Sequence, residues 1–109
     1  MNTKQLNKVM KSQFEHCAAL LTDKGKEYAE DHPDRLRAFK VAAELQGISP
    51  KAALYGMLAK HLVSVSDMCQ SDHHYDRDRW TEKLTDSINY LVLLAAIVTE
   101  ELEEDKKNG

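Results

Sequence analysis

Turn-forming residues are scarce in this chain, which holds four Gly and two Pro among its 109 residues. A sheet protein needs a tight turn between most pairs of strands, and Gly and Pro supply many of those turns. Long helices with few connections need far fewer. The scarcity therefore predicts an all-α fold, and the length is that of one domain. We expect a single domain over residues 1–104, followed by a flexible tail over residues 105–109.

The charge distribution limits the partners that the chain can bind. The net charge of -3 lies entirely in the last ten residues, because residues 1–99 hold 13 basic and 13 acidic side chains. A neutral body lacks the broad basic surface that duplex nucleic acid requires. No apolar run approaches the roughly 20 residues of a membrane span, and no signal-peptide pattern is present. We expect a cytoplasmic protein that binds neither duplex nor membrane, with Cys17 and Cys69 reduced and packed in the core.

Apolar periodicity predicts four helices. Apolar residues at three- and four-residue intervals indicate a first helix over residues 3–22, and the charged residues 24–34 are interpreted as a structured loop. A second helix has Pro33 in its first turn and Gly47 at its end.

The third helix has the clearest boundary in the sequence. Ser49 is a favoured N-cap and Pro50 a favoured first residue, which predicts a helix over residues 50–69. A fourth helix is expected from residue 79 to about residue 104. Four helices with short connections predict a four-helix bundle, and a small chain with a large exposed surface is expected to form a homo-oligomer.

The fourth helix contains the polar groups that most need an explanation. Residues 88–98 are apolar apart from Asn89 and the Tyr90 hydroxyl, so this segment should lie deep in the assembly. Glu82, Asp86 and Asn89 lie within about 60° of one another around the helix. Buried carboxylates need a compensating cation or hydrogen-bond donors. A divalent metal, a basic side chain from another helix or a ligand would each serve, and a structural salt-bridge network is the other interpretation.

The third helix offers a matching set of polar side chains. Lys60 and Asp67 share one face, and His61 lies about 100° further around. Lys60 could bind phosphate or neutralise Asp86, and His61 could be a metal ligand, a general base or a phosphate partner. The simpler interpretation is a solvated Lys60 and a His61 packed between two helices.

The charged segment after the first helix supplies cations and an aromatic ring. Lys26, Tyr28, Arg35 and Arg37 could together hold a phosphate and a base. The sequence has no Walker A or His-Glu-x-x-His motif. It has no Gly-x-Ser-x-Gly motif either, and nucleophilic serine or cysteine chemistry is not indicated.

Five short segments suggest a family. They are Lys24-Gly25-Lys26-Glu27-Tyr28, Asp34-Arg35-Leu36 with Phe39, Gly47-Ile48-Ser49-Pro50, Lys60-His61 with Ser64 and Asp67, and Glu82-Lys83-Leu84-Thr85-Asp86 with Asn89-Tyr90-Leu91. In this order and spacing they resemble the nucleotide-modification-associated domain found largely in bacteriophages, over about residues 21–102. The resemblance implies a small all-α protein linked to nucleotide metabolism or to modification of phage bases.

The last helix is also similar, more distantly, to the metal-bearing helix of MazG-like all-α nucleoside triphosphate pyrophosphatases. Those enzymes hold magnesium with Glu-x-x-Glu on one helix and Glu-x-x-Asp on the next. Asp86 matches the second motif's Asp, whereas Lys83 stands three residues before it and Glu82 one further back. Lys60 and His61 stand where the Glu-x-x-Glu is expected. This set would still favour phosphate, by direct charge pairing instead of through a metal.

These residues are compatible with functions of different classes. The first is a phage-type protein that binds a nucleotide between the third helix, the fourth helix and the loop from Lys24 to Arg37. The residues expected to bind it are Lys26, Tyr28, Arg35, Lys60, Asn89 and Tyr90. As an enzyme it would hydrolyse a phosphoanhydride, with Mg²⁺ held by Glu82 and Asp86 and with His61 or Asp67 orienting water. The alternatives are a non-catalytic binder that sequesters a nucleotide or nucleotide signal, and a helical protein-interaction module.

Overall fold

A computed structural model describes residues 1–108 of the chain, with the side chains of residues 1–23 and 32–108. The described residues form four helices and no strand: α1 (Thr3–Asp31), α2 (Arg37–Gln46), α3 (Pro50–Gln70) and α4 (Arg77–Asn108). The all-α prediction is confirmed. No helix in this part of the chain is long and apolar enough to cross a membrane.

The junction between α2 and α3 follows the sequence prediction. Gly47 ends α2 in the left-handed region with φ 67°, and the next amide, of Ile48, donates to the Ala43 carbonyl at 2.9 Å. A residue without Cβ adopts this backbone conformation at little cost. The Ser49 hydroxyl then accepts a hydrogen bond from the Ala52 amide at 3.2 Å, which caps the first turn of α3.

The region between α1 and α2 differs from the prediction. The first helix continues to Asp31, so its expected end at residue 22 and the loop over residues 24–34 are wrong. The second helix begins at Arg37 instead of at Pro33. Asp34 explains this late start, because its carboxylate accepts the Leu36 amide at 2.9 Å and forms a local turn that competes with helix.

The fourth helix is longer than predicted at both ends, since it spans Arg77–Asn108 and not residues 79–104. Its start follows Asp76, whose carboxylate accepts the Arg79 amide at 2.8 Å. This is the N-cap hydrogen bond that an Asp supplies before a helix.

The core lies where α2, α3 and α4 meet. Its buried residues are Leu36, Phe39, Leu54, Leu58 and Ile97, with Met57, Tyr90, Leu93 and Leu94 packed against them. The third and fourth helices are antiparallel, since Lys51 pairs with Glu101 at 3.0 Å and His61 approaches Asp86 at 3.9 Å. Burial of apolar surface between these three helices supplies the main stabilisation.

The first helix packs on α4 through its middle turns. Cys17 is buried there, and the neighbouring Gln13 amide donates to the buried Thr85 hydroxyl at 2.8 Å. The amino-terminal turns contribute little, because Leu6, Val9 and Met10 are each at least half exposed. The predicted core position of Cys69 is wrong, since this thiol is exposed near the end of α3.

Candidate functional site

A cavity of about 240 Å³ opens between α1, α2, α4 and the connection that joins α1 to α2. We call it the Asn89 pocket. Its described lining residues are Leu20, Leu21, His32, Asp34, Arg35, Arg37, Ala38, Phe39, Met57, Asp86, Asn89, Tyr90 and Leu93. The ligand site was expected between α3, α4 and the segment 24–37. Both α4 and residues 32–37 contribute to the lining, whereas α3 supplies one lining residue, Met57.

Asn89 has an unusual environment in the wall of this pocket. Its side chain is 5% exposed, and neither its amide nitrogen nor its amide oxygen has a hydrogen-bond partner in the described part of the chain. A buried amide without partners costs about 1–3 kcal/mol. Such a group is satisfied when a ligand or an ordered water supplies the missing donor and acceptor.

Asn89 faces the pocket together with three other residues of α4. Asp86, Tyr90 and Leu93 lie three, one and four residues from it, which places all four on one side of the helix. The column of Asp86 and Asn89 that the sequence indicated therefore lines the cavity. Glu82, the third member, lies one turn away in a neighbouring depression.

Two aromatic contacts fix the position of Tyr90. The Phe39 ring meets it edge-on, with centroids 6.2 Å apart, and the His61 ring lies 4.7 Å away on the α3 side. Phe39 and Tyr90 therefore present a rigid aromatic corner to the pocket, of the kind that can contact a planar ring.

The described lining of the pocket carries two arginines, one histidine and two carboxylates. Arg35 is half-buried and Arg37 is exposed, and both line the cavity beside His32. The Asp34 carboxylate is offset by Lys40, whose ammonium donates to it at 2.7 Å and to Glu100 at 2.9 Å. Arg37 belongs to no ion pair of the described side chains, so it is a cation of the lining with which an anionic ligand can pair.

The Lys40 contacts also shift two pKa values. The hydrogen bond from Lys40, followed by that from the Leu36 amide, lowers the pKa of Asp34. The hydrogen bonds to Asp34 and then Glu100 raise the pKa of Lys40. Each partner stabilises the charged form of the other, so Asp34 stays ionised beside the pocket.

The two expected metal ligands meet in the depression beside the Asn89 pocket, and Asp86 lines both. Glu82 and Asp86 are one helical turn apart and line the same open depression, together with His16 and Thr85. The Glu82 carboxylate is exposed and 3.8 Å from Arg79, and the Asp86 carboxylate is 3.9 Å from Nδ1 of His61. No group of three or more His, Cys, Asp or Glu side chains that could hold a metal occurs among the described side chains. Two carboxylates nevertheless suit Mg²⁺, which completes its shell with water and substrate phosphate.

Several predicted site residues lie elsewhere. Lys60 and Asp67 are exposed on α3 and belong to none of the ion pairs of the described side chains. Of the predicted site residues on α3, His61 lies next to the site, where it approaches Asp86 and Tyr90. Lys26 and Tyr28 lie outside the described side chains.

Eight of the thirteen described lining residues were not singled out by the sequence for binding, among them His32, Phe39 and Met57. Phe39 and Met57 have the spacing of ordinary core residues. His32 lies in the segment 24–34 that was interpreted as a loop, and in the structure it directly follows the end of α1. Arg37 was named from the sequence together with Arg35, and both line the pocket.

Comparison with known proteins gives no further guide to this site. No protein-family model, no curated protein and no solved structure matches the chain.

Proposed function

We propose that this protein binds a nucleotide, or a closely related small phosphorylated compound, in the Asn89 pocket. The observation that carries the proposal is the Asn89 amide, buried without a partner in the wall of a cavity that also holds two arginines. An amide presents a donor and an acceptor side by side, which matches the edge of a nucleobase.

The other lining groups suit the remaining parts of such a ligand. Arg37 supplies a charge beside Arg35 for a phosphate, and a guanidinium can pair with phosphate through two parallel hydrogen bonds. Phe39 and Tyr90 offer apolar ring surface for a base. A cavity of about 240 Å³ is small for a whole nucleoside triphosphate, so the phosphates would extend past Arg37 toward solvent.

The resemblance of residues 21–102 to the phage nucleotide-modification-associated domain supports the same ligand class. In this proposal the four helices form a bundle of the MazG-like type, and the protein acts as a homo-oligomer in the cytoplasm. Lys60 and Asp67 have no part in the proposed site, because both are exposed on another face of α3.

The proposal includes hydrolysis of a phosphoanhydride with Mg²⁺. Glu82 and Asp86 would hold the ion, which when bound would neutralise phosphate charge and polarise the bond to be cleaved. His61 would hold a water beside Asp86 and accept a proton from it. The oxygen of that water would bond to phosphorus as the phosphoanhydride bond breaks, which releases pyrophosphate from a triphosphate.

Calorimetry with single compounds tests the binding step. We would titrate the protein with each nucleoside triphosphate, the matching nucleosides and inorganic triphosphate. We expect binding of at least one nucleotide and much weaker binding of either half alone. Asn89→Leu should abolish it, whereas Gln46→Leu, the same kind of change on the exposed side of α2, should not. Absence of binding by every nucleotide, or equal binding by Asn89→Leu, contradicts the proposal.

Turnover is measured separately, as release of pyrophosphate with Mg²⁺ present. Asp86→Asn should abolish release, and Asp72→Asn, in the exposed connection before α4, should leave it intact. Binding without release in the unmodified protein would remove the hydrolytic step and leave a binder that sequesters its nucleotide. Absence of both would favour a helical interaction module.

A further inference from the structure

The fourth helix has an exposed apolar stripe on the side away from the Asn89 pocket. Its members alternate at spacings of four and three residues: Leu84, Ile88, Leu91, Ala95, Val98 and Leu102. Leu91 is 51% exposed and Leu102 58% exposed, and Val98 is also exposed. This spacing is the heptad pattern of a helix that packs lengthwise along another helix. We call these six residues the α4 seam.

The seam is separate from the ligand site. Asn89 and Leu91 are two residues apart, which turns their side chains about 160° from each other around the helix. The first helix covers the Asn89 side, where Gln13 contacts Thr85. Within one chain, Asn89 and Ile97 of the segment 88–98 are buried, whereas Leu91 and Val98 are exposed.

The third helix extends the same apolar face. Tyr55, Leu62 and Val63 are exposed there, with Tyr55 at 64%. They lie about 40–140° around α3 from Leu58, which is buried in the core that α3 and α4 share. Because α3 and α4 are antiparallel, residues displaced from the shared core in the same rotational sense, counted along each chain, lie on the same side of the helix pair. Tyr55, Leu62, Val63 and the α4 seam thus form one surface, the α3/α4 face.

The exposed area of the chain is large enough for a stable interface. The accessible surface is 8283 Å², whereas a compact monomer of this mass exposes about 6,100 Å². The radius of gyration is 16.5 Å, against about 13 Å for a compact domain of this length. An obligate homodimer buries roughly 1,000 Å² or more per partner. The excess area of this chain is greater than that amount.

The chemistry of the seam suits a second copy of the same chain. In a two-fold symmetric interface each patch meets itself, so a charged patch would place like charges in contact. The α4 seam has no charged member, and its heptad spacing is already that of a helix that can pair with its own copy.

We propose that the α3/α4 face is the interface of a homodimer in which the α4 seams of two copies pack against each other. This inference rests on the exposed face alone and holds whether or not the Asn89 pocket binds a nucleotide. In the dimer, Leu91 and Val98 become core residues.

Sedimentation equilibrium over a wide range of protein concentration tests the proposal. We expect twice the 12.4 kDa mass of the chain in the unmodified protein. Leu91→Glu should sediment as a monomer, because it brings charge into the seam of each copy. Leu45→Glu, which alters an equally apolar but 83% exposed residue of α2, should remain dimeric.

A second variant keeps the test decisive if Leu91→Glu loses its helical circular dichroism. Leu91→Ala retains an apolar helix former and should weaken dimerisation at least tenfold. A monomeric unmodified protein at all concentrations would overturn the proposal. So would dimerisation that both Leu91 variants leave unchanged, or that Met10→Glu, in the exposed turns of α1, abolishes in their place.

Discussion

The side-chain nitrogen of Gln13 lies 2.8 Å from the hydroxyl oxygen of Thr85 and links α1 to α4 across 72 residues of sequence. Thr85 is buried, so loss of its partner would leave a polar atom without compensation. We expect Gln13→Leu and Thr85→Val each to lower the free energy of unfolding by about 1–2 kcal/mol.

The double variant removes both polar groups and should cost about 1 kcal/mol less than the sum of the single changes. Urea denaturation of all four proteins measures this coupling. Strict additivity would mean that the hydrogen bond does not stabilise the contact between α1 and α4.

Asn89→Leu is expected to raise stability while it abolishes ligand binding. The change removes a buried amide that has no partner in the described part of the chain, which should add about 1–2 kcal/mol to the free energy of unfolding. Thermal denaturation without ligand measures the gain. A loss of stability in this variant would instead identify Asn89 as a structural residue.

Arg37→Gln should weaken nucleotide binding about tenfold and reduce its dependence on salt, because one cation of the pocket is lost. Titrations at low and high salt measure both effects. Arg77→Gln, in the first turn of α4 and outside the pocket lining, is the matched control. Equal effects of the two changes would point to a general dependence on net charge.

The ion pair between Lys40 and Asp34 should make part of the stability depend on pH. The pKa of Asp34 is lowered by folding, so its contribution is complete above the unfolded pKa of about 3.9 and is lost as pH falls through the lower folded value. The pKa of Lys40 is raised, so its contribution is complete below about pH 10.4 and is lost as pH rises through the higher folded value.

Lys40→Met retains the aliphatic stem and removes the charge, which tests this dependence. Both partners are more than one-third exposed, so solvent screening limits the expected loss at neutral pH to about 0.5 kcal/mol. Urea denaturation at pH 7 and near pH 3 should show this difference shrinking at the lower pH. A difference that is constant with pH would assign the effect to packing of the stem.

Gly47→Ala should destabilise the protein by about 1 kcal/mol through the backbone alone. The φ of 67° is costly for a residue with Cβ, yet an added Cβ would meet no atom within 4 Å. Gly47→Asn should cost less, because Asn adopts this conformation more readily. Chemical denaturation ranks the three proteins, and equal stabilities would show that this turn relaxes to another conformation.

The sequence predicted those parts of the fold that short-range interactions determine. Gly47, Ser49 and Pro50 act on their immediate neighbours, and the junction they form is confirmed. The end of α1 was wrong because the charged segment 24–34, which contains Gly25, was interpreted as a loop. One Gly costs a helix only about 1 kcal/mol relative to Ala, which the surrounding helix formers can offset.

The candidate site was only partly predictable for a different reason. Asp86 and Asn89 lie on one helix, so their spacing alone places them on one side of it. The groups opposite them, Arg35 and Phe39, reach the pocket through packing between helices distant in sequence. Periodicity within a single helix contains no information on such contacts.

The two opposite faces of α4 imply a pattern of mutational tolerance along this helix. Changes at Asp86, Asn89 and Leu93 should affect the ligand, whereas changes at Leu84, Leu91 and Val98 should affect only the association of copies. A saturation scan scored separately for each property would then give two periodic profiles of about 3.6 residues, nearly opposite in phase. Under the two proposals, ligand affinity and assembly could therefore evolve independently within one continuous helix.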